Sequence, residues 1–129
     1  MSFVLTYYLA YPPPQEMSTY YFDGTGKAVR PLLTMMMAHA VNCELGVCEE
    51  EVVCLQEQVA LIAEMWHTSS LLHDDVIDHA ETRRGKTSVN KRWDAPKSIF
   101  AGDYILGVSS KLLAQTGNPE VTLLGAHKT

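Results

Sequence analysis

The sequence predicts an all-α protein, because apolar residues recur at helical spacing along most of its length and no alternating strand pattern stands out. From about Glu50 to Asp78 there is neither glycine nor proline, and apolar residues follow one another at intervals of three and four. That stretch predicts one helix of roughly 40 Å, at ~1.5 Å per residue. No internal repeat is evident, so the 129 residues fit one small domain with a single core.

Proline and glycine residues mark the other boundaries. The run Tyr11-Pro12-Pro13-Pro14 cannot be helical, so we interpret residues 1–17 as an N-terminal stub. Pro31 and Pro96 each fit the first turn of a helix, and Gly46 and Gly117 are suitable stops for those two helices. After a polar loop we expect a short helix over residues 89–93. The predicted domain covers residues 18–117, and residues 118–129 form an unplaced tail.

Composition limits the classes of function. The chain has 15 acidic and 10 basic residues, for a formal charge of -5, so we expect no broad nucleic-acid binding, which requires a positive surface. The chain has three cysteines, Cys43, Cys48 and Cys54, and their spacing includes no Cys-x-x-Cys motif. This spacing indicates free thiols in a reducing compartment. The apolar residues 1–11 are too few to span a bilayer and lack the basic residues of a presequence.

Three aspartates close the long predicted helix. Asp74 and Asp78 lie four residues apart and share a helix face, whereas Asp75 is displaced by about 100°. Like charges repel without a cation, and hard oxygen ligands that leave positions for water or phosphate suit Mg²⁺ rather than zinc. Apolar neighbours indicate a partly buried helix, in which carboxylates need partners. A solvated acidic helix end is the alternative to this predicted Mg²⁺ site.

Small side chains precede the aspartates on the same helix face. Stepping back from Asp74 by four, seven, eleven and fourteen residues gives Ser70, His67, Ala63 and Ala60. Such a stripe leaves room for a slender apolar molecule along the helix, although close helix packing is the commoner cause. His67 lies two turns from the carboxylates and could donate to a phosphate, although a lone core histidine is more often structural.

Basic residues form two further groups. Arg83 and Arg84 follow the aspartates within a short loop, and guanidinium groups there can clamp the oxygens of a diphosphate. Lys27 and Arg30 lie between a glycine loop and a predicted helix start, where exposed N–H groups and the helix dipole favour an anion. Each pair alone would be ordinary surface charge. Beside a metal platform, the two pairs indicate two separately held diphosphates.

These motifs, taken in order, resemble the trans-isoprenyl (polyprenyl) diphosphate synthase family. They are Gly-Lys-x-x-Arg-Pro at 26–31, Leu-Leu-His-Asp-Asp-Val-Ile-Asp at 71–78 and Arg-Arg-Gly at 83–85. Further segments, among them Tyr20-Tyr21-Phe22-Asp23-Gly24, look most like the catalytic subunit of decaprenyl or solanesyl diphosphate synthases. The match covers about Ser18 to Gly117. It implies the front half of the all-α isoprenoid synthase fold.

The resemblance also implies site residues. According to this resemblance, Asp74 and Asp78 bind a Mg²⁺ ion that bridges to an allylic diphosphate. Asp75 supports this catalytic cluster. Arg83 grips the allylic diphosphate. Isopentenyl diphosphate is held by Lys27, Arg30, His67 and Arg84. The residues four and five positions before the first aspartate, Ser70 and Ser69, are small, which implies a long product, although Trp66 could narrow the channel.

By the same resemblance the product is a long all-trans polyprenyl diphosphate for a ubiquinone side chain. The family also implies a mitochondrial location and a homo- or hetero-oligomer with synthase subunits.

The second aspartate-rich helix of this family does not appear in these residues, so we expect a truncated chain with weak or no catalysis alone. A non-catalytic partner of a full-length synthase subunit is the alternative. A terpene cyclase is a further alternative, but it would not need the predicted site for a second diphosphate at Gly26 to Arg30, which makes this alternative less favoured.

Overall fold

The computed structural model describes residues 15–22 and 28–127, and these residues are mainly helical. The helices are α1 (Gln15–Thr19), α2 (Val29–Leu45), α3 (Glu50–Ile77), α4 (Val89–Arg92), α5 (Ala95–Gln115) and α6 (Pro119–Ala126). The all-α prediction is therefore confirmed, and the three long helices begin and end within a few residues of the positions that the sequence predicts. None of the helices in the described ranges has the length and apolarity required to cross a lipid bilayer.

The chain divides into two compact units, and the division falls within α3 and α5. The first unit contains residues 65–108 together with the segment before residue 28, and the second contains residues 28–64 and 109–129. Buried apolar side chains form a core in each unit. In the first they include Tyr21, Met65, Leu72, Val89, Ala101 and Ile105, and in the second Ala60, Leu61, Ile62, Leu112 and Leu113.

Polar side chains join the helices of the second unit. Asn42 on α2 and Gln56 on α3 exchange two amide hydrogen bonds, of 2.8 and 2.9 Å. Gln58 donates to the carbonyl of Leu112 on α5 at 2.8 Å. Several large apolar side chains of α2 remain exposed, namely Val29, Leu32, Leu33, Met36, Met37, Val41 and Leu45.

Small residues allow α3 and α5 to approach closely within the first unit. A Cβ atom on Gly102 would lie 2.3 Å from Nε2 of His73, so no larger residue fits there unless the imidazole moves. The hydroxyl of Ser69 donates to the carbonyl of Gly102 at 2.9 Å, and that of Ser98 donates to the carbonyl of Leu72 at 3.4 Å. These buried contacts fix the part of α3 that precedes the aspartates.

A short β-hairpin connects α3 to α4, where the sequence predicts only a polar loop. Strands β1 (Thr82–Arg83) and β2 (Lys86–Thr87) pair antiparallel, with Arg83 opposite Lys86. Arg84 and Gly85 form the two-residue turn and have φ values of 53° and 77°. Positive φ at both positions is typical of the type I′ turn, whose twist matches that of a hairpin. Strands of two residues are too short to show an alternating pattern.

The tail that the sequence leaves unplaced contains helix α6. The side chain of Asn118 caps this helix by accepting hydrogen bonds from the N–H groups of Glu120 and Val121, at 3.0 and 3.2 Å. Pro119 at the first position suits a helix start, because proline lacks the N–H that would be unsatisfied there. The interpretation of residues 1–17, 18–117 and 118–129 as three parts stays a prediction.

Substitution of Gly85 tests the hairpin turn. We expect Gly85→Ala to lower the free energy of unfolding by about 1 kcal/mol, because a Cβ atom disfavours positive φ although the space around it is open. The matched control is Gly107→Ala in α5, where we expect a gain of about 0.5–1 kcal/mol from helix propensity. Urea unfolding measures both. Equal effects of the two substitutions would contradict the turn assignment.

Candidate active site

Asp74 and Asp78 lie together at the exposed end of α3. The N–H of Asp78 donates to the carbonyl of Asp74 at 2.8 Å, so the helical geometry extends through Asp78 and places both side chains on one face. Both residues are exposed, and neither carboxylate has a side-chain partner among the residues that the structure describes. They are therefore accessible to a cation and to a ligand from solvent.

Asp75 points the other way and is completely buried. Its Oδ2 accepts a hydrogen bond from the hydroxyl of Tyr21 at 2.9 Å. Its Oδ1 accepts from Nε and Nη2 of Arg83, at 2.9 and 2.5 Å. The Tyr21 oxygen in turn accepts from the N–H of Val89 at 3.1 Å. Both oxygens of the middle aspartate are thus engaged by protein donors.

The surroundings of Arg83 and Tyr21 hold each of these two side chains in one protonation state. The hydrogen bond to Asp75 raises the pKa of Arg83 above its ordinary value, which keeps the guanidinium charged. Burial raises the pKa of Tyr21 well above its ordinary value, although the bond from Val89 acts in the opposite direction. Tyr21 therefore remains a neutral phenol that donates a hydrogen bond to the Asp75 carboxylate.

The two arginines of the hairpin differ in their surroundings. Arg83 lies on β1, and its side chain is 31% exposed, so part of the guanidinium faces solvent beyond the contact with Asp75. Two of its N–H donors are used on Asp75, and an arginine has others in a fixed fork. Arg84 lies at the tip of the turn and is exposed. The structure thus brings Arg83, and not Arg84, into contact with the aspartate motif.

Arg30 belongs to the second unit, close to the start of α2. Its Nη1 lies 3.9 Å from Oε2 of Glu64, which makes an ion pair but is too long for a hydrogen bond. Glu64 is buried, and its Oε2 has no hydrogen-bond partner in the part of the chain that the structure describes. Lys27, the other cation predicted near this helix start, lies outside the described residues.

The family of the chain follows from comparisons with known proteins. The sequence model described as polyprenyl synthetase matches residues 12–129, which is nearly the whole chain. This chain belongs to that family. The resemblance read from the motifs is confirmed, and the matched residues include helix α6.

Curated relatives of this polyprenyl synthetase chain are long-chain synthases. It is 52% identical over 107 residues to the human all-trans-polyprenyl-diphosphate synthase, covering 83% of this chain and 26% of that protein. It is 37% identical to subunit 1 of the Schizosaccharomyces pombe decaprenyl-diphosphate synthase, covering 85% and 34%. The rice mitochondrial solanesyl-diphosphate synthase 1 is also 37% identical, with coverage of 89% and 29%. The chain thus spans about a quarter to a third of these relatives.

The comparison with solved structures gives the fold. The Rhodobacter capsulatus decaprenyl diphosphate synthase superposes with a TM-score of 0.80 at 31% identity, covering 96% of this chain and 37% of that one. The predicted fold, the front half of the helical isoprenoid synthase fold, is confirmed.

The remaining predicted residues lie on α3. His67 is half-buried. Ser69 and Ser70, which the resemblance assigns to product length, lie in different environments. Ser69 is buried against α5, whereas Ser70 is exposed and its hydroxyl donates to the carbonyl of Trp66 at 3.0 Å.

Two of the carboxylates fit a Mg²⁺ ion. In the described ranges no group of three or more His, Cys, Asp or Glu side chains is arranged to enclose a metal. Because protein donors engage both oxygens of Asp75, the groups free for a cation are Asp74 and Asp78. Mg²⁺ is commonly bound through one or two carboxylates together with substrate phosphates and water, so this donor set fits the ion.

Sequence reasoning did not find Tyr21 as a member of the site. Its hydroxyl contacts an aspartate 54 residues further along the chain, and no local spacing indicates such a contact. The segment Tyr20-Tyr21-Phe22 contributed to the family resemblance only as a sequence match, with no role assigned to its side chains. The burial of Asp75 was the available signal, because a buried carboxylate beside one arginine still requires a further donor.

Neutralising each of two adjacent aspartates tests their different roles. We expect Asp75→Asn to lower the free energy of unfolding by about 2 kcal/mol, because it weakens charge-assisted hydrogen bonds and leaves Arg83 without a counter-charge. The matched control Asp74→Asn should change it by less than about 0.5 kcal/mol, because Asp74 is exposed. Urea unfolding at neutral pH measures both values. A loss of equal size for the two variants would argue against the buried clamp.

Proposed function

We propose that this chain forms the substrate-binding part of a long-chain polyprenyl diphosphate synthase. Its substrates are an allylic diphosphate and isopentenyl diphosphate. The observation that carries the proposal is the division of one motif into two exposed carboxylates, Asp74 and Asp78, and one buried carboxylate that holds Arg83. The division supports the proposal, because a diphosphate can be bound by a cation on the two exposed carboxylates together with a guanidinium held by the third.

In this proposal Asp74 and Asp78 hold Mg²⁺, which stabilises the negative charge of the departing diphosphate. Arg83 donates to the allylic diphosphate, and Asp75 keeps that arginine in place. For isopentenyl diphosphate the proposed binding residues are Lys27, Arg30, His67 and Arg84. Glu64 supports this role, because its carboxylate lies 3.9 Å from the Arg30 guanidinium and forms an ion pair with it near the start of α2.

The proposed reaction joins the two substrates. The bond between the allylic carbon and the diphosphate oxygen breaks, and the electron pair leaves with the diphosphate. The double bond of isopentenyl diphosphate attacks the allylic cation, and loss of a proton restores a double bond. The side chains of this chain orient the two diphosphates so that the reacting carbons meet, which replaces a bimolecular encounter by a positioned one.

We further propose a long all-trans product that becomes the side chain of ubiquinone, made in the mitochondrion within a homo- or hetero-oligomer of synthase subunits. The small residues Ser69 and Ser70 below the aspartates support a long product. The names of two relatives support the location and the oligomer, because the rice solanesyl-diphosphate synthase 1 is called mitochondrial and the Schizosaccharomyces pombe protein is called a subunit.

Binding of an allylic diphosphate tests the proposed site directly. We expect farnesyl diphosphate to bind the purified chain only when Mg²⁺ is present, and Asp78→Ala to weaken this binding at least about tenfold, because the cation loses a carboxylate ligand. Isothermal titration calorimetry with and without EDTA measures the affinity. Glu120→Ala, which removes an exposed carboxylate on α6, is the control and should bind normally. Binding that EDTA does not change would contradict the proposal.

The second candidate is a non-catalytic partner of a full-length synthase subunit. The observation that favours it is the row of exposed apolar side chains on α2, which includes Leu33 and Met37 at 59% and 68% exposure. Exposed apolar groups of this kind are typical of surfaces that contact another protein. This candidate requires the chain to change the activity of a full-length subunit without using its own aspartates.

Turnover assays separate these candidates. We expect the chain alone to elongate farnesyl diphosphate weakly or not at all, because its 129 residues contain a single aspartate-rich motif, whereas the family resemblance implies a second one. Incorporation of labelled isopentenyl diphosphate measures elongation. Rapid Mg²⁺-dependent elongation that Asp74→Ala abolishes would contradict this expectation. If the chain inhibits a full-length decaprenyl-diphosphate synthase, and Asp74→Ala retains this effect while Leu33→Glu loses it, the second candidate is favoured.

A further inference from the structure

The hydroxyl of Tyr21 joins three separate segments of the first unit. It donates to Asp75 on α3 at 2.9 Å and accepts from the backbone N–H of Val89, at the start of α4, at 3.1 Å. Tyr21 is itself 6% exposed, so water cannot easily replace either contact. Removal of the hydroxyl would leave a buried carboxylate oxygen and a buried backbone N–H without partners.

The contact with Tyr21 also sets the plane of the Asp75 carboxylate. Arg83 uses only Oδ1, through Nε and Nη2, so these two bonds restrain one oxygen of the carboxylate and leave Oδ2 to another donor. The hydrogen bond from Tyr21 to Oδ2 restrains the second oxygen as well, so that the plane of the carboxylate is held at both ends. The direction of the remaining Arg83 donors therefore depends on Tyr21, although the two side chains are not hydrogen-bonded to each other.

Aromatic and cationic contacts hold this part of the chain beside the end of α4. The Tyr20 ring lies 5.2 Å from the Trp93 ring in an edge-to-face arrangement, and the guanidinium of Arg92 lies 5.0 Å from the centre of the Tyr20 ring. The Tyr20 and Tyr21 rings lie 5.5 Å apart. Tyr21 therefore enters the Asp75 site from a backbone that its neighbours already fix.

We propose that Tyr21 is a positioning residue that directs Arg83 toward the allylic diphosphate by fixing the Asp75 carboxylate. This inference rests on the proposed function, in which Arg83 binds that diphosphate. It assigns Asp75 to the support of Arg83 and leaves the cation to Asp74 and Asp78. A preorganised guanidinium loses less entropy when it binds a ligand, so the effect of Tyr21 appears as affinity.

A double-mutant cycle tests the inference on the whole chain, with farnesyl diphosphate and Mg²⁺ in the calorimeter. We expect Tyr21→Phe to weaken binding about tenfold and Arg83→Gln to weaken it more. In the Arg83→Gln background, the further loss caused by Tyr21→Phe should be less than about twofold, because the arginine that Tyr21 orients is gone. A purely structural role of Tyr21 would give the same loss in both backgrounds and would overturn the inference.

Tyr20→Phe is the matched control, because it keeps the ring that stacks on Trp93 and changes a neighbouring hydroxyl. It should bind as the wild type does. If the wild type and Arg83→Gln bind equally well or neither binds, the proposed function fails. If Arg83→Gln is weakened and Tyr21→Phe is not, the inference alone fails.

If Tyr21→Phe does not fold, nuclear magnetic resonance of the wild-type chain tests whether Arg83 stays bonded to Asp75 when the ligand binds. The Nε–H signal of Arg83 should exchange slowly with solvent because it is bonded to Asp75, and it should stay protected when farnesyl diphosphate and Mg²⁺ are added. Loss of this protection on ligand binding would show that Arg83 leaves Asp75 to reach the ligand. That result would overturn the inference.

Discussion

The buried carboxylate of Asp75 is the constraint on which the aspartate end of the first unit depends. A charge without solvent contact is costly unless hydrogen bonds and an opposite charge replace its water, and here Arg83 and Tyr21 supply both. The hairpin that contains Arg83 and the chain around Tyr21 are therefore held to the end of α3. Through Val89 the same network reaches α4.

Helical geometry explains how one motif supplies both a buried support for Arg83 and two exposed carboxylates. A step of one residue turns the side chain by about 100°, so Asp75 points into the core while Asp74 remains exposed. Four residues beyond Asp74, Asp78 returns to the exposed face. If the helix contributes the cation ligands, the support must come from the intervening position. In the proposed function, Arg83 and the cation therefore do not compete for the same carboxylates.

Much of the fold was predictable because its signals are local. Proline and glycine residues predicted the limits of α2 and α5, and uninterrupted apolar spacing predicted α3. The shared face of Asp74 and Asp78 followed from their spacing alone. The hairpin and Tyr21 were not predictable in this way. Two-residue strands show no period, and a hydrogen bond between residues 54 positions apart leaves no trace in local spacing.

Small residues on α3 serve two different purposes, and this difference bears on the proposed control of product length. Ser69 is buried and bonded to Gly102, so a bulky side chain at position 69 would first have to displace α5. Ser70 is exposed, and among the described residues its hydroxyl bonds within its own helix, so a bulky side chain there could extend without disturbing the packing. A change of product length at position 70 can therefore be ascribed to the space beside the helix. A change at position 69 would combine that effect with a shift of the helices.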